Sequence, residues 1–322
     1  MNTLGPLTFE PIFKSMLWGG RRLPEFVGRP APTDDPIGEA WMLSDVDGSL
    51  SVVAEGPHAG RTLRELIAED PTAIFGDRVP ADCRFPLLFK FIDARQELSV
   101  QVHPNDEQAL RLKGPGARGK TEAWVILDAD PETSRVYAGF QPGMTAERFR
   151  AAMAEGRVPE TLHSFTPKRG DTVFLEAGTV HAIGANILLF EVQQTSDITY
   201  RLFDWNRVDA KTKQPRELHI DNGLECANFA AGPCHPVTPH VRCRYFTLDE
   251  RSGDMPMSVG AAGECRVVAC VEGQGTVGGV AVRAGGLVLL PASVGKVEVV
   301  PRGPMRLLEC GLTGAGSADN SP

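Results

Sequence analysis

Residues 85–104 read FPLLFKFIDARQELSVQVHP. Two short runs within it, 85–93 and 98–103, are rich in Leu, Phe, Ile and Val and have the length of strands. In an extended chain alternate side chains share a face. In the second run Leu98, Val100 and Val102 then point into a core, and Ser99, Gln101 and His103 point the other way. A polar row inside so apolar a segment is costly unless each group finds a partner. A metal ion would satisfy Gln101 and His103 together. The plainer alternative is a half-exposed strand with a polar solvent face. Pro104 closes the run in either case.

Runs of the same kind recur at 121–127, 171–175, 187–193, 265–271, 287–290 and 296–300. The 34 Gly and 25 Pro punctuate most of the 322 residues rather than pooling in one linker. Short strands at this spacing predict a mainly β protein, a sandwich or barrel rather than βαβ units. Helical signals are few. Residues 62–69 place Leu63, Leu66 and Ile67 on one face with Thr62 as N-cap, 105–112 open on Asn-Asp-Glu, and 145–155 start at Thr145 and stop at Gly156. The Pro-rich stretch AAGPCHPVTPH at 230–240 is a candidate linker. It divides a domain over 1–235 from a β domain over 236–314, and the Gly, Ser and Asp of 315–322 predict a disordered tail.

Composition narrows the function. A net charge of -8 argues against a nucleic-acid backbone as partner. No apolar run approaches the roughly 20 residues of a membrane span, and the first residues, MNTLGPLTFEPIFK, carry no signal-peptide pattern. Seven cysteines at irregular spacing, without a CxxC pair, read as reduced thiols of a cytoplasmic protein.

Two further segments carry chemistry. GKTEAWV at 119–125 alternates Lys120 and Glu122 with Thr121 and Ala123; read alone, this is a surface ion pair. GDTVFLEAGTVHAIG at 170–184 runs an apolar strand into a Gly turn and then presents His181. Together, Gln101, His103, Glu122 and His181 offer four N/O donors to a divalent metal. No thiolate is in the set, which favours a catalytic over a structural zinc site. His58, His163, His219, His235 and His240 stand in turn-like or linker contexts, and the spacing of Cys234, His235, His240 and Cys243 fits no standard zinc module. No His follows His240, so the C-terminal part reads as structural.

The segments PLLFKFIDARQELSVQVHPND, GKTEAW, LEAGTVHAIG and FEVQQTSDITYRLFDWNR, with LWGGRRL and IGEAWMLS upstream, resemble the type I mannose-6-phosphate isomerases in their short bacterial form. The likeness spans about 11–207 in the right order; beyond the linker it is loose, resting on VEGQGTV and GGLVLLPASVGKVEV. The resemblance implies tandem cupin (jelly-roll β-barrel) domains with a few short helices. It implies one zinc ion on Gln101, His103, Glu122 and His181, an active-site arginine at Arg201, and substrate-binding residues, toward the phosphate end, at Ser99, Lys90 and Lys120. The implied reaction is the interconversion of mannose 6-phosphate and fructose 6-phosphate through an enediol, with a small-molecule sugar phosphate as the partner. Lys120 is also placed among the catalytic residues. The base is expected at Glu191, whose place between Phe190 and Val192 would raise its pKa by desolvation; a metal-bound water is the rival. Glu176 stands where the family usually has Pro, Asn186 comes one place late, and Asn206 replaces a common carboxylate. Two other readings use the same residues. One is an Fe(II) oxygenase with a two-His, one-carboxylate triad; the other is a non-catalytic sugar-binding cupin.

Overall fold

A computed structural model of the chain describes residues 4–208, 213–238 and 240–313. Every strand named above is present, with its ends within two residues of the expected positions. Ile12–Gly20, Ile37–Leu43, Leu87–Ala94, Ile187–Gln194, Glu122–Ala129 and Thr172–Leu175 form a six-stranded sheet in that order. Tyr200–Phe203, Val100–Val102, His181–Ile183, Val136–Phe140 and Leu162–Phe165 form a five-stranded sheet packed against it. Pairing is antiparallel throughout.

The six-stranded sheet is buried on both faces, so its central strands read as nearly continuous apolar runs. All eight residues of Leu87–Ala94 are buried. Alternation then sorts them. Leu87, Phe89 and Phe91 join Val125, Phe190 and Val192 on the outer face. Ile92 and Ala94 join Trp124, Ile126 and Leu189 between the two sheets. On the five-stranded sheet Val100 and Val102 face outward under the helices Ala146–Ala154 and Ile220–Cys226, which cover them with Phe149 and Leu224. Gln101 is thereby turned into the interior of the sandwich. Leu98, expected beside Val100 and Val102, instead packs with the interior cluster, because it precedes the strand proper.

A second sandwich follows. His240–Arg242, Phe246–Gly253, Met305–Leu312, Arg266–Glu272 and Leu287–Leu290 face Met257–Val259, Val297–Pro301, Gln274–Val277 and Val280–Arg283. Val268, Val277, Leu290, Val299 and Leu307 fill the space between these sheets. The outer face of its larger sheet packs on the outer face of the six-stranded sheet, joining Phe246, Val267, Leu289 and Leu308 to Leu43, Phe89 and Phe190 in one core.

The three expected helices are Leu63–Glu69, Asp106–Lys113 and Ala146–Ala154, capped by Thr62, Asn105 and Thr145. Arg22–Val27, Pro71–Phe75 and Ile220–Cys226 were not expected. The stretch 230–238 is no free tether. Cys234 N–H donates to Ala138 O at 3.0 Å and Val237 N–H to Thr172 O at 2.8 Å, so its backbone groups find partners on the first sandwich. The expected tail, 315–322, lies outside the described residues.

Candidate metal centre and active site

Both sheets of the first sandwich contribute to one buried cluster. Register places His181 and Arg201 on either side of Gln101 in the five-stranded sheet. Across the interior, Glu191 lies between Lys90 and Trp124 in the six-stranded sheet, and Glu122 pairs with Gln193. His103 and His181 are 2% and 1% exposed. Their Nδ1 atoms lie 2.8 Å from Ile198 O and 2.9 Å from Thr179 O. A neutral imidazole in that setting carries its proton on Nδ1 and turns the Nε2 lone pair inward. The two Nε2 atoms converge on Glu122, 3.6 Å and 3.3 Å from its oxygens. Ligand atoms of His103, Glu122 and His181 all lie within 4.8 Å of one another, the only such group among the described residues. The Gln101 amide nitrogen is 3.5 Å and 3.3 Å from the same Nε2 atoms. Rotating that amide turns its oxygen to the same point.

The donor set fits a divalent metal. Both Glu122 oxygens are buried; Lys120 Nζ stands 2.8 Å from one, and the other has no hydrogen bond, a costly condition that a cation relieves. Burial pushes the Glu122 carboxyl up to about 7, against the pull of Lys120 and with the repulsion of Glu191. Burial lowers His181 to about 4 and holds His103 well below its ordinary value, with Lys120 adding to both. Two neutral imidazoles are the ligands such an ion requires.

Beside the ligands stands a charged wall. Lys120 Nζ is 2.8 Å from Glu122 and 3.1 Å from His103 Nε2. Lys90 Nζ is 2.9 Å from Glu191 and 3.5 Å from Glu39. Burial alone would lower the Lys90 ammonium, but Glu191 and Glu39 outweigh it and its pKa rises. Glu191 corrects the sequence reading. Desolvation does push its carboxyl up, yet Lys90 and Lys120 pull harder, and the net shift is downward. Its other oxygen accepts the Trp124 indole N–H at 2.9 Å. A cavity of about 140 Å³ opens onto this wall, bordered by Ser99, Lys90, Lys120, Glu191 and Arg201. All the expected site residues are thus gathered at one place.

Two charged residues at the cavity were missed. Glu39 was signalled by a lone acid in the apolar strand IGEAWML. Arg216 comes from irregular chain with no pattern to mark it; it reaches the cavity while bonded to Asp204. The remaining histidines stay outside the cluster. His219 Nδ1 accepts the Arg201 backbone N–H, His240 pairs with Asp249, and His163 and His235 contact each other. Glu176 is exposed, and its charge bears on Cys234 and Cys243. Asn186 sits at φ 59°, a left-handed turn that Asn tolerates.

The model of the phosphomannose isomerase type I catalytic domain matches residues 7–131. Mannose-6-phosphate isomerase ManA of Bacillus subtilis (strain 168) is 37% identical over 284 residues, covering 85% of this chain and 87% of that protein. The chain belongs to the type I phosphomannose isomerases. The mannose-6-phosphate isomerase of Streptococcus mutans is 36% identical over 220 residues, 68% of this chain and 67% of its own. The crystal structure of the mannose 6-phosphate isomerase from Bacillus subtilis superposes with a TM-score of 0.85 at 28% identity, over 95% of this chain and 99% of that one. The fold is accordingly the mainly β, cupin fold of the phosphomannose isomerases, and the cluster above lies within it. No helix among the described residues is long and apolar enough to cross a membrane.

Proposed function

We propose that this enzyme interconverts mannose 6-phosphate and fructose 6-phosphate, with one zinc ion held by Gln101, His103, Glu122 and His181. The convergence of two neutral imidazoles and a buried carboxylate, one of whose oxygens has no hydrogen bond, beside a cation-lined cavity carries the reading. Bound there, zinc supplies Lewis-acid polarisation of the sugar's carbonyl and hydroxyl oxygens.

The chain's own groups do the rest. Glu191, held ionised by Lys90, takes the proton from C2 of the aldose and returns it to C1 of the enediol, while the proton of the C2 hydroxyl passes to O1, so that the carbonyl moves from C1 to C2. Arg201 has a permanent charge and a rigid fork, and it faces the negative charge that develops on the sugar oxygens. Lys120 adds a second positive charge next to that point. Ser99, Lys90 and Lys120 hold the substrate, including its phosphate end, Lys90 doing so while it anchors Glu191. We further propose residues 1–235 as the catalytic domain and 236–314 as the second cupin domain, and a cytoplasmic location, in keeping with seven unpaired cysteines.

The test is coupled turnover of mannose 6-phosphate by the purified protein, before and after chelation and again with zinc restored. Loss on chelation and recovery with zinc is the expected result. Absence of turnover by fully zinc-loaded protein removes the substrate assignment, and iron as the native metal removes zinc. Glu191→Gln is expected to retain zinc and to lose about 10²–10⁴ in kcat; near-normal kcat would move the proton transfer elsewhere.

A further inference from the structure

The second sandwich has a charged cavity of its own, about 510 Å³ in volume. Its place in the fold parallels that of the metal cluster. Glu122 precedes Trp124, and Glu191 follows Leu189, on the inner face of the first sandwich, where apolar packing ends. In the second sandwich Arg266 precedes Val268 and Glu309 follows Leu307 on the inner face in the same manner. Strand pairing sets Asp249 beside Glu309, and Arg251 lies one alternate position further on. No histidine lines this cavity.

The charges do not balance. Arg242, Arg251, Arg266 and Lys296 line the cavity against Asp249 and Glu309. Both carboxylates are already served. Glu309 accepts Gly260 N–H at 2.8 Å and Arg251 Nε–H at 3.2 Å. Asp249 accepts two Arg242 N–H bonds at 2.7 Å and 2.9 Å and lies 2.9 Å from His240 Nδ1. Arg266 gives a terminal N–H to Glu264, but its Nε is buried with no partner. Lys296 is exposed, lines the cavity and makes no ion pair among the described residues. A space of this size, with a guanidinium short of an acceptor and an unpaired ammonium, is built for a small anion rather than for packing. The hydroxyls of Thr247 and Ser258 on its wall suit a tetrahedral oxyanion carrying more than one acceptor.

We infer that the C-terminal sandwich holds a second ligand site, and that it binds a phosphate group, free or as a small phosphate ester, on Arg251, Arg266 and Lys296. The site stands apart from the metal cluster and shares no residue with it.

The test is modification of arginine by phenylglyoxal, mapped residue by residue, on the whole protein with inorganic phosphate or, separately, glucose 6-phosphate. Phosphate is expected to slow labelling at Arg251 and Arg266. Equal protection by the two probes marks free phosphate as the ligand, and stronger protection by the sugar marks an ester. Lys296→Glu and Ser258→Asp each place a negative charge at the opening from an exposed position, and each is expected to raise the half-protecting concentration about tenfold or more. Turnover of mannose 6-phosphate should be unchanged in both. Protection of Arg201 without protection of Arg251 and Arg266 overturns the inference, because the probe is then seen to bind elsewhere. Protection that survives both substitutions overturns it equally.

Discussion

Glu122 is ionised only at a cost, and that cost fixes how the centre responds to pH. In the metal-free protein burial raises its carboxyl to about 7, while burial lowers His181 to about 4 and holds His103 well below its ordinary value. The proton that competes with a metal near neutrality is therefore on Glu122 and not on a histidine. A carboxyl raised in the folded state stabilises the metal-free fold below its unfolded value and loses that contribution as pH rises through about 7. Metal binding expels the same proton, so affinity gains with pH. Zinc titrations of the metal-free protein between about pH 5.5 and 8 should show about one proton released per zinc at the acid end and a release fading above pH 7. A release that instead follows histidine, and persists in Glu122→Gln, would sink this account. Gln101, His103 and Glu191 were legible because each is polar in an apolar run, whereas Glu122 read alone as a surface ion pair and Lys90 was placed by the family resemblance. Arg216 breaks no run, and only tertiary folding brings it in.

At the scale of elements, the helix Asp106–Lys113 links the strand of His103 to the segment of Lys120. Asn105 closes a capping box with Gln108. Asp106 then accepts Gly119 N–H at 2.8 Å, the Gln194 amide N–H at 2.9 Å and the Tyr245 hydroxyl at 2.8 Å. Gly119 is required where it stands, since a Cβ there would lie 2.6 Å from the Asn105 carbonyl carbon. The GKTEAW segment thus begins with Gly because two backbones touch. Asn105→Ala should cost about 1 kcal/mol of stability by the loss of its cap, measured as a shifted urea midpoint at constant slope. An unchanged midpoint would mean that the ties through Asp106 hold the helix without its cap. Capped helices of this kind could be read from the chain. Ile220–Cys226 could not: it contains Asn222 and Gly223, poor helix formers, and a Cβ on Gly223 would lie 2.5 Å from Leu202. Packing on the strand Tyr200–Phe203 chooses helix there. Pro71–Phe75 did carry a signal, Asp70 as cap before Pro at the first helical position.

At the scale of the molecule, the two sandwiches are not beads on a linker. Their outer faces share one apolar core, in which Phe89 and Phe190 of the first meet Phe246 and Leu308 of the second. Leu7 exchanges both backbone hydrogen bonds with Leu289, at 2.9 Å and 2.8 Å, so the N-terminal segment extends the second sandwich's larger sheet. Tyr245 reaches back to Asp106 next to the site. The alternation of each strand could be read in the sequence, but not that the outer faces were mutual partners, because an apolar face does not name what covers it. A core shared in this way leaves neither sandwich able to lose its fold without exposing the other. The whole chain should therefore melt in one transition, with the calorimetric enthalpy equal to the van't Hoff value. Phe246→Ala, remote from the metal ligands, should cost about 3–5 kcal/mol and lower the temperature at which isomerase activity is lost by as much as it lowers the melting point. Two separate peaks, or activity that outlasts the melting of the second sandwich, would show that the shared core does not couple them.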